Sequence, residues 1–444
     1  MTRTFALGMA VAAWLTGAAI HWNNGYYDPW AMLLITAAIV IGAWACLTRP
    51  APGIESLSGS VVVVTLAAAI AIDVVLMWQR AAANPIVVAG IAALGVLGVV
   101  QAFDLRTLRL PLVGVMLGAF WIVASATVRL NPSPHIDVLM FQQMGAASLL
   151  DGENPYEDRY PNFYEANPEF YGPGVVDVNR HLTVGLPYPP LSLVLTLPGY
   201  VLGRDSRYAD IAAVVASAGL VFLSGASRWT GLMAALFLLT PRALFLIEYA
   251  WTETIFAFTF SLMMFCAIRW RRGLPYALGL FLATKQYSVF ALPFVPLLLG
   301  RTGRRRDAVR LVTLGLAVAA VVTLPFFLWN PQAFWRSVVV FQFLQPLRED
   351  SLSHVVWIHK YFPGVPGLPS ISFLVLAVMA ALLWWQRQPT PAYFAGAVGV
   401  THLALFAFSK QAFANYYYFV IAALCWGAAA ACPAGDERRE CEPG

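Results

Sequence analysis

Charge is what this chain most conspicuously lacks. Only 11% of its 444 residues are charged, too few to coat the surface of a soluble globule. Lysine is rarer still: there are three, and arginine supplies the rest of the Lys and Arg count. Cys46, Cys266, Cys425 and Cys432 fall inside or at the ends of apolar runs and Cys441 in the tail. None lies in a large loop where an oxidising compartment would pair thiols, so no disulfide is expected. No Gly-rich phosphate loop opens a helix, no DxD-type acid pair flanks a soluble domain, and no Cys/His cluster has ligand spacing. These gaps exclude a disulfide scaffold and predict neither a metal nor a cofactor. The net charge of +5 sits mostly in short arginine clusters between apolar segments, so nucleic acid is not a predicted partner.

What is present is apolar length. With 59% hydrophobic residues, the sequence predicts an all-α polytopic membrane protein of about 11–14 transmembrane or re-entrant helices. Runs near 4–21, 30–47, 60–78, 85–103 and 110–128 are long enough to cross a bilayer, as are those near 209–226, 253–268, 309–328, 371–385, 391–408 and 413–431. Shorter or Pro-interrupted runs occupy 190–203, 229–247 and 274–300. The first run has an Arg3 flank but no small-residue cleavage site after it, and reads as a retained helix.

Arginine clusters at Arg49, Arg106/Arg109, Arg269 to Arg272, Arg301 to Arg306, Arg387 and Arg438/Arg439 mark cytoplasmic ends. Five crossings then deliver the loop 129–188 to the opposite side. That loop carries eight acids (Asp137, Asp151, Glu153, Glu157, Asp158, Glu165, Glu169 and Asp177) against three arginines, as a non-cytoplasmic segment should. Basic clusters at both ends of 274–300 require a hairpin with Lys285 at its apex, and a second outer loop follows at 329–370. Both Thr284-Lys285-Gln286-Tyr287 and Ser409-Lys410-Gln411-Ala412 thus fall on the side of Asp137. Between 190 and 250 the arginines at 204, 207, 228 and 242 demand at least one segment that does not cross. A carboxylate facing scarce cations at one membrane surface is the pattern of an enzyme acting on a lipid phosphate.

Four motifs carry a resemblance: the early Asp137, Asn154-Pro155-Tyr156, Tyr188-Pro189-Pro190-Leu191, and Ala283-Thr284-Lys285-Gln286. Over roughly residues 110–430 the chain resembles the GT-C superfamily of polyprenyl-phosphate-sugar glycosyltransferases, most closely the family 87 type that includes α-mannosyltransferases. The resemblance implies a GT-C-like catalytic module at 110–432, containing the outer loops 129–188 and 329–370, followed by a cytoplasmic tail at 433–444. It departs at 1–109, where four helices precede the segment that leads into the catalytic loop, and these are read as accessory. It implies a polyprenyl-phosphate sugar donor, a mannose-like or pentose group to transfer, and a lipid or cell-envelope glycan acceptor. It also implies a multi-pass bacterial inner-membrane setting, in contact with membrane lipids, with the site facing the periplasm or cell exterior. A donor whose sugar arrives on a lipid phosphate needs no metal or nucleotide motif.

The resemblance makes Asp137 the general base, against a plainer role as a first-turn acid on a helix dipole. Lys285 is expected at the donor phosphate, because a compact charge on a re-entrant apex is expensive unless it meets an anion. Lys410 is the second phosphate candidate, against snorkelling at a helix end, and His354 the third, matching a late-loop histidine of the family. His135, Tyr156, Tyr188, Glu248, Trp251, Glu253, Gln286 and Gln411 are the substrate-binding candidates. For Glu253 the competing reading is a helix start capped by Thr252, and for the tyrosines an interfacial belt. Two other classes share parts of the pattern. A secondary transporter or lipid flippase would also have broken helices and buried charge, and a glycan polymerase or ligase using a lipid-diphosphate donor would share an outer site.

Overall fold

The computed structural model describes residues 3–48, 59–79, 84–103, 105–164, 170–301, 303–365 and 370–431. Arg49, Glu165, Glu169, Cys432, Cys441 and the predicted tail 433–444 with Arg438 and Arg439 lie outside them. Among the described residues the chain is all-helical, and its β-type pairing is confined to three isolated bridges. Cys46, Cys266 and Cys425 are free thiols.

Helix α1 (Arg3–Trp22) and α2 (Pro29–Leu47) form an antiparallel pair, so close that a Cβ on Gly8 would lie 2.6 Å from the Ala45 Cβ. Inside lipid no hydrophobic force drives helices together, and small residues that let backbones touch take its place. The start of α2 is written locally: Asp28 accepts hydrogen bonds from the N–H groups of Trp30 and Ala31, and Pro29 fills the first turn. Asn84 and Pro85 start α4 (Pro85–Val100) in the same way, after α3 (Gly59–Gln79). Helix α5 (Arg109–Leu130) then leads from the end of the bundle where Arg109 bonds the Ala226 carbonyl to the end that carries Asp137.

At that second end lie α6 (Asp137–Leu150) and α7 (Pro190–Gly203). A bend of 115° separates α7 from α8 (Arg207–Leu223), with Arg204 left-handed at φ 56° in the corner. Arg207 donates to the carbonyls of Asn131, Pro132 and Glu248, so this corner sits beside the end of α5 and α7 runs along the bundle end instead of through it. Helix α8 descends, α9 (Arg228–Leu238) returns, and α10 (Ala243–Glu248) lies at the Asp137 end before α11 (Glu253–Arg269) descends again. Arg204, Arg207 and Arg242 therefore share one end and Arg228 lies at the other, which resolves the segment that the arginine count left open.

Helix α12 (Leu274–Leu282) climbs antiparallel to α11, with Phe281 stacked on Phe256 at 4.8 Å. After Lys285 the chain turns back as a 3-10 segment, Gln286–Leu299, whose start lies by His402 and whose far end lies by Pro389. Pro293 and Pro296 within it preclude regular α hydrogen bonding. Lys285 is thus the apex of a hairpin at the Asp137 end. The chain continues through α13 (Arg305–Trp329), α14 (Pro331–Trp335), a π turn at Arg336–Val340, α15 (Phe341–Leu344) and α16 (His354–Tyr361). Helices α17 (Ile371–Trp385), α18 (Pro391–Ala407) and α19 (Ala414–Ala431) complete the bundle. Among the described residues, five helices (α1, α2, α5, α13 and α19) are each long and apolar enough to cross a bilayer unaided.

Two separate cores result. The large one fills the bundle. The smaller joins Phe141, Tyr156, Tyr160, Tyr171, Leu186 and Leu193 to Phe334, Val338 and Phe341, tying the loop 129–188 to the loop 329–370 as a cap over the Asp137 end. Close approach fixes this cap: a Cβ on Gly185 would lie 2.1 Å from the Tyr156 carbonyl oxygen, so only glycine fits there.

Candidate active site

Asp137 opens α6 directly after the extended Ile136 (φ −153°, ψ 137°), and its carboxyl group receives two phenol hydroxyls. Tyr164 donates to Oδ1 at 3.2 Å and Tyr171 to Oδ2 at 2.9 Å. The enclosing protein raises the carboxyl pKa above the usual carboxylate range, and the two hydroxyls, the Arg348 charge and a backbone N–H pull it partly back. The tyrosines respond in the opposite sense. Burial, then the Asp137 charge, raises Tyr164 and Tyr171, so both remain protonated donors.

This carboxyl lines a cavity of about 290 Å³, just below the roughly 300–1,000 Å³ usual for small-ligand sites. His135, Tyr188, Trp251 and Gln411 line the same space, joined by Tyr249, Gln342, Gln345, Arg348, Phe413 and Tyr416. Five of the residues selected from sequence therefore meet here: His135, Asp137, Tyr188, Trp251 and Gln411. Their walls come from the cap, from the α10 to α11 turn and from the segment before α19.

Arg348 is the cation of this cavity, and sequence reading did not single it out. Its guanidinium lies 3.5 Å from the Phe170 ring centroid and 5.0 Å from that of Phe413. Nε and Nη2 bond the two oxygens of Asp350 at 2.9 and 2.7 Å. Nη1 donates to nothing among the described residues. Position in the 329–370 loop, in Leu347-Arg348-Glu349-Asp350, was the available signal. By sequence alone Tyr164 and Tyr171 read as further interfacial belt tyrosines of the 129–188 loop.

The other selected residues lie around the cavity. Lys285 is 5% exposed; its Nζ is 2.9 Å from Glu253 Oε1 and 4.6 Å from the Tyr188 ring centroid. The anion that this apex meets is thus Glu253, and the Tyr188 ring separates Lys285 from the Asp137 cavity. Thr252 makes no capping hydrogen bond to α11. Gln286 donates to the carbonyls of Pro187 and Val338 at 3.0 and 3.1 Å. Lys410 donates to the carbonyls of Phe343 and Gln345, and burial lowers its pKa. His354 faces away from this cavity, with Nε2 3.2 Å from Thr36 Oγ1 and its ring 4.8 Å from that of Phe408.

Two further cavities take the remaining candidates. Glu248, bonded by Asn131 at 2.6 Å, belongs to a slot of about 270 Å³ with Arg242 and apolar side chains of α3, α4 and α5. Tyr156 borders a polar cleft of about 410 Å³ with Glu157 and Arg336. The cleft is larger than the Asp137 cavity. Of these three cavities among the described residues, the Asp137 cavity is the one that combines an enclosed carboxylate, hydroxyl donors, a guanidinium and aromatic walls. Among the described residues no three His, Cys, Asp or Glu side chains gather closely enough to hold a metal.

No protein-family model matches the sequence, and no curated protein does. A solved structure, ArnT from Cupriavidus metallidurans bound to undecaprenyl phosphate, is similar over 72% of this chain at 18% identity with a TM-score of 0.45. This chain spans 59% of the length of that one.

Proposed function

We propose that the chain is a membrane glycosyltransferase of the GT-C type that moves a sugar from a polyprenyl-phosphate donor to a hydroxyl acceptor in the Asp137 cavity. The observation that carries this reading is the Asp137 carboxyl itself, enclosed, raised in pKa and held on both oxygens by tyrosines, with a guanidinium on the same cavity. As base, Asp137 takes the proton of the acceptor hydroxyl while that oxygen bonds the anomeric carbon. The bond from that carbon to the phosphate oxygen breaks in the same displacement, and lipid phosphate leaves with the electron pair. The two free N–H groups on Arg348 Nη1 stabilise the charge that develops there. Trp251, Tyr249 and Phe413 offer aromatic faces for the sugar. A mannose-like or pentose group and a lipid or envelope glycan acceptor fit this reading, with the arginine-rich end of the bundle cytoplasmic and the cavity facing outward.

Purified protein incubated with radiolabelled polyprenyl-phosphate sugars and a lipid extract should release lipid phosphate and label a glycolipid or glycan. Uptake of intact donor into vesicles without release would assign the chain to the transporters instead.

Arg348→Ala removes the free donors as well as the Asp350 pair. The kcat and kcat/KM values for donor are expected to fall ~10- to 100-fold with donor KM little changed, the worth of a hydrogen bond to a charged group made as the phosphate departs. Arg348→Lys should fail similarly, because one ammonium cannot both hold Asp350 and present a second donor face. Steady-state kinetics at saturating acceptor measure both.

Tyr171→Phe deletes a hydroxyl that favours the ionised Asp137, so the carboxyl pKa rises further. The base works only when deprotonated. Hence the acidic limb of the kcat/KM profile should move to higher pH, and an unshifted limb would detach Tyr171 from catalysis.

A further inference from the structure

The two Lys-Gln pairs repeat a geometry as well as a sequence. In the first, Gln286 Nε2 donates to the Pro187 carbonyl at 3.0 Å. Lys285 Nζ lies against the Tyr188 ring, and Glu253 Oε1, which holds Lys285, also accepts the Tyr287 hydroxyl at 2.9 Å. The segment so gripped, Pro187-Tyr188, lines the Asp137 cavity. In the second pair, Lys410 Nζ donates to the carbonyls of Phe343 and Gln345. Gln411 Nε2 donates to the Pro346 carbonyl at 3.0 Å and to Gln345 Oε1 at 3.2 Å. The segment gripped here leads into Arg348, whose own N–H bonds the Lys410 carbonyl at 3.1 Å.

We propose that Lys285-Gln286 and Lys410-Gln411 are paired positioning clamps, each formed at the end of an apolar segment and each fixing one cavity-lining loop, Pro187-Tyr188 and Phe343 to Arg348. Neither lysine then touches the donor phosphate. The chemistry favours this division. An ammonium already bonded to a buried carboxylate, or to two carbonyls, has its charge largely satisfied within the protein, and freeing Lys285 for a ligand would leave Glu253 buried with the Tyr287 hydroxyl but no cation. The glutamines complete each clamp because an amide N–H₂ can donate to two carbonyl oxygens at once. Turn carbonyls with no strand or helix partner need such donors. In both pairs the lysine contributes a compact point charge on a flexible stem, set against one carboxylate oxygen in the first and two carbonyls in the second.

The inference rests on the glycosyltransferase reading for its kinetic arm only. Lys285→Met alone strands Glu253 and is expected to fold poorly, so the test uses Lys285→Met with Glu253→Gln, and separately Lys410→Met, in full-length protein in detergent. Both should retain near wild-type melting temperatures, lose about tenfold in kcat as the loops loosen, and keep donor KM within twofold. A tenfold rise in donor KM in a normally melting variant would make that lysine a phosphate ligand and overturn the clamp, as would wild-type kcat. Should wild-type protein release no lipid phosphate, the functional reading fails by itself. The clamp then stands or falls on a melting-temperature cycle between Tyr188→Leu and the Lys285→Met/Glu253→Gln variant, where coupled shifts support it and additive shifts overturn it.

Discussion

Asp137→Asn should abolish sugar transfer, by ~10²- to 10⁴-fold as befits loss of a general base, while the protein inserts and melts normally. Asparagine keeps the size and one of the two acceptor oxygens that Tyr164 and Tyr171 address; its N–H₂ meets the other phenol, which turns its hydroxyl to accept, so the cavity keeps its shape. What disappears is basicity. The stability sign is also set. Burial raises the Asp137 pKa in the folded protein, so its contribution is fully favourable below the unfolded carboxylate pKa and is lost as pH rises through the folded value. At neutral pH the ionised group is therefore a cost that function imposes, and the neutral amide should melt at the same temperature or higher. A normally folded Asp137→Asn protein with full turnover would remove the assigned base, and a collapsed one would make the residue structural.

Arg207→Met should produce the largest loss of stability. Arg207 is fully buried, paired to Asp205 at 2.6 Å, and donates to the carbonyls of Asn131, Pro132 and Glu248. Asp205 keeps 18% exposure, so stranding it costs less than the ~3–5 kcal/mol of a fully buried pair; the larger loss comes from the backbone acceptors that are orphaned as well. The site is exposed to the damage because Asn131-Pro132 leads directly into Asp137. Thermal unfolding in detergent should show a large drop in melting temperature, accompanied by loss of transfer. Arg207→Lys should recover little, since an ammonium cannot span acceptors from three segments. A Met variant that melts like wild type would show that the corner is held by packing alone.

Particular residues show what could be read in advance. The Asp28-Pro29 and Asn84-Pro85 starts are local chemistry, and the helices they open begin where the sequence places them. The turn at Lys285 follows from basic clusters at both ends of one apolar run. By contrast, the 115° corner before Arg207 was legible only as a parity failure, because its cause is a side chain reaching carbonyls far away in sequence. Arg348 escaped notice for a similar reason. Nothing in Leu347-Arg348-Glu349-Asp350 reveals that Phe170 and Phe413 will enclose its guanidinium.

The sequence by itself determined an all-helical membrane chain, the starts of several helices, the hairpin turn at Lys285, and which few ionisable groups were too costly to be incidental, since burial energetics and hydrogen-bond satisfaction act residue by residue. Only the tertiary structure decided what each of those groups meets: Glu253 for Lys285, two phenols for Asp137, Thr36 for His354. Partner choice depends on contacts between segments distant in the chain, and the free energy of a buried charge is set by its partner.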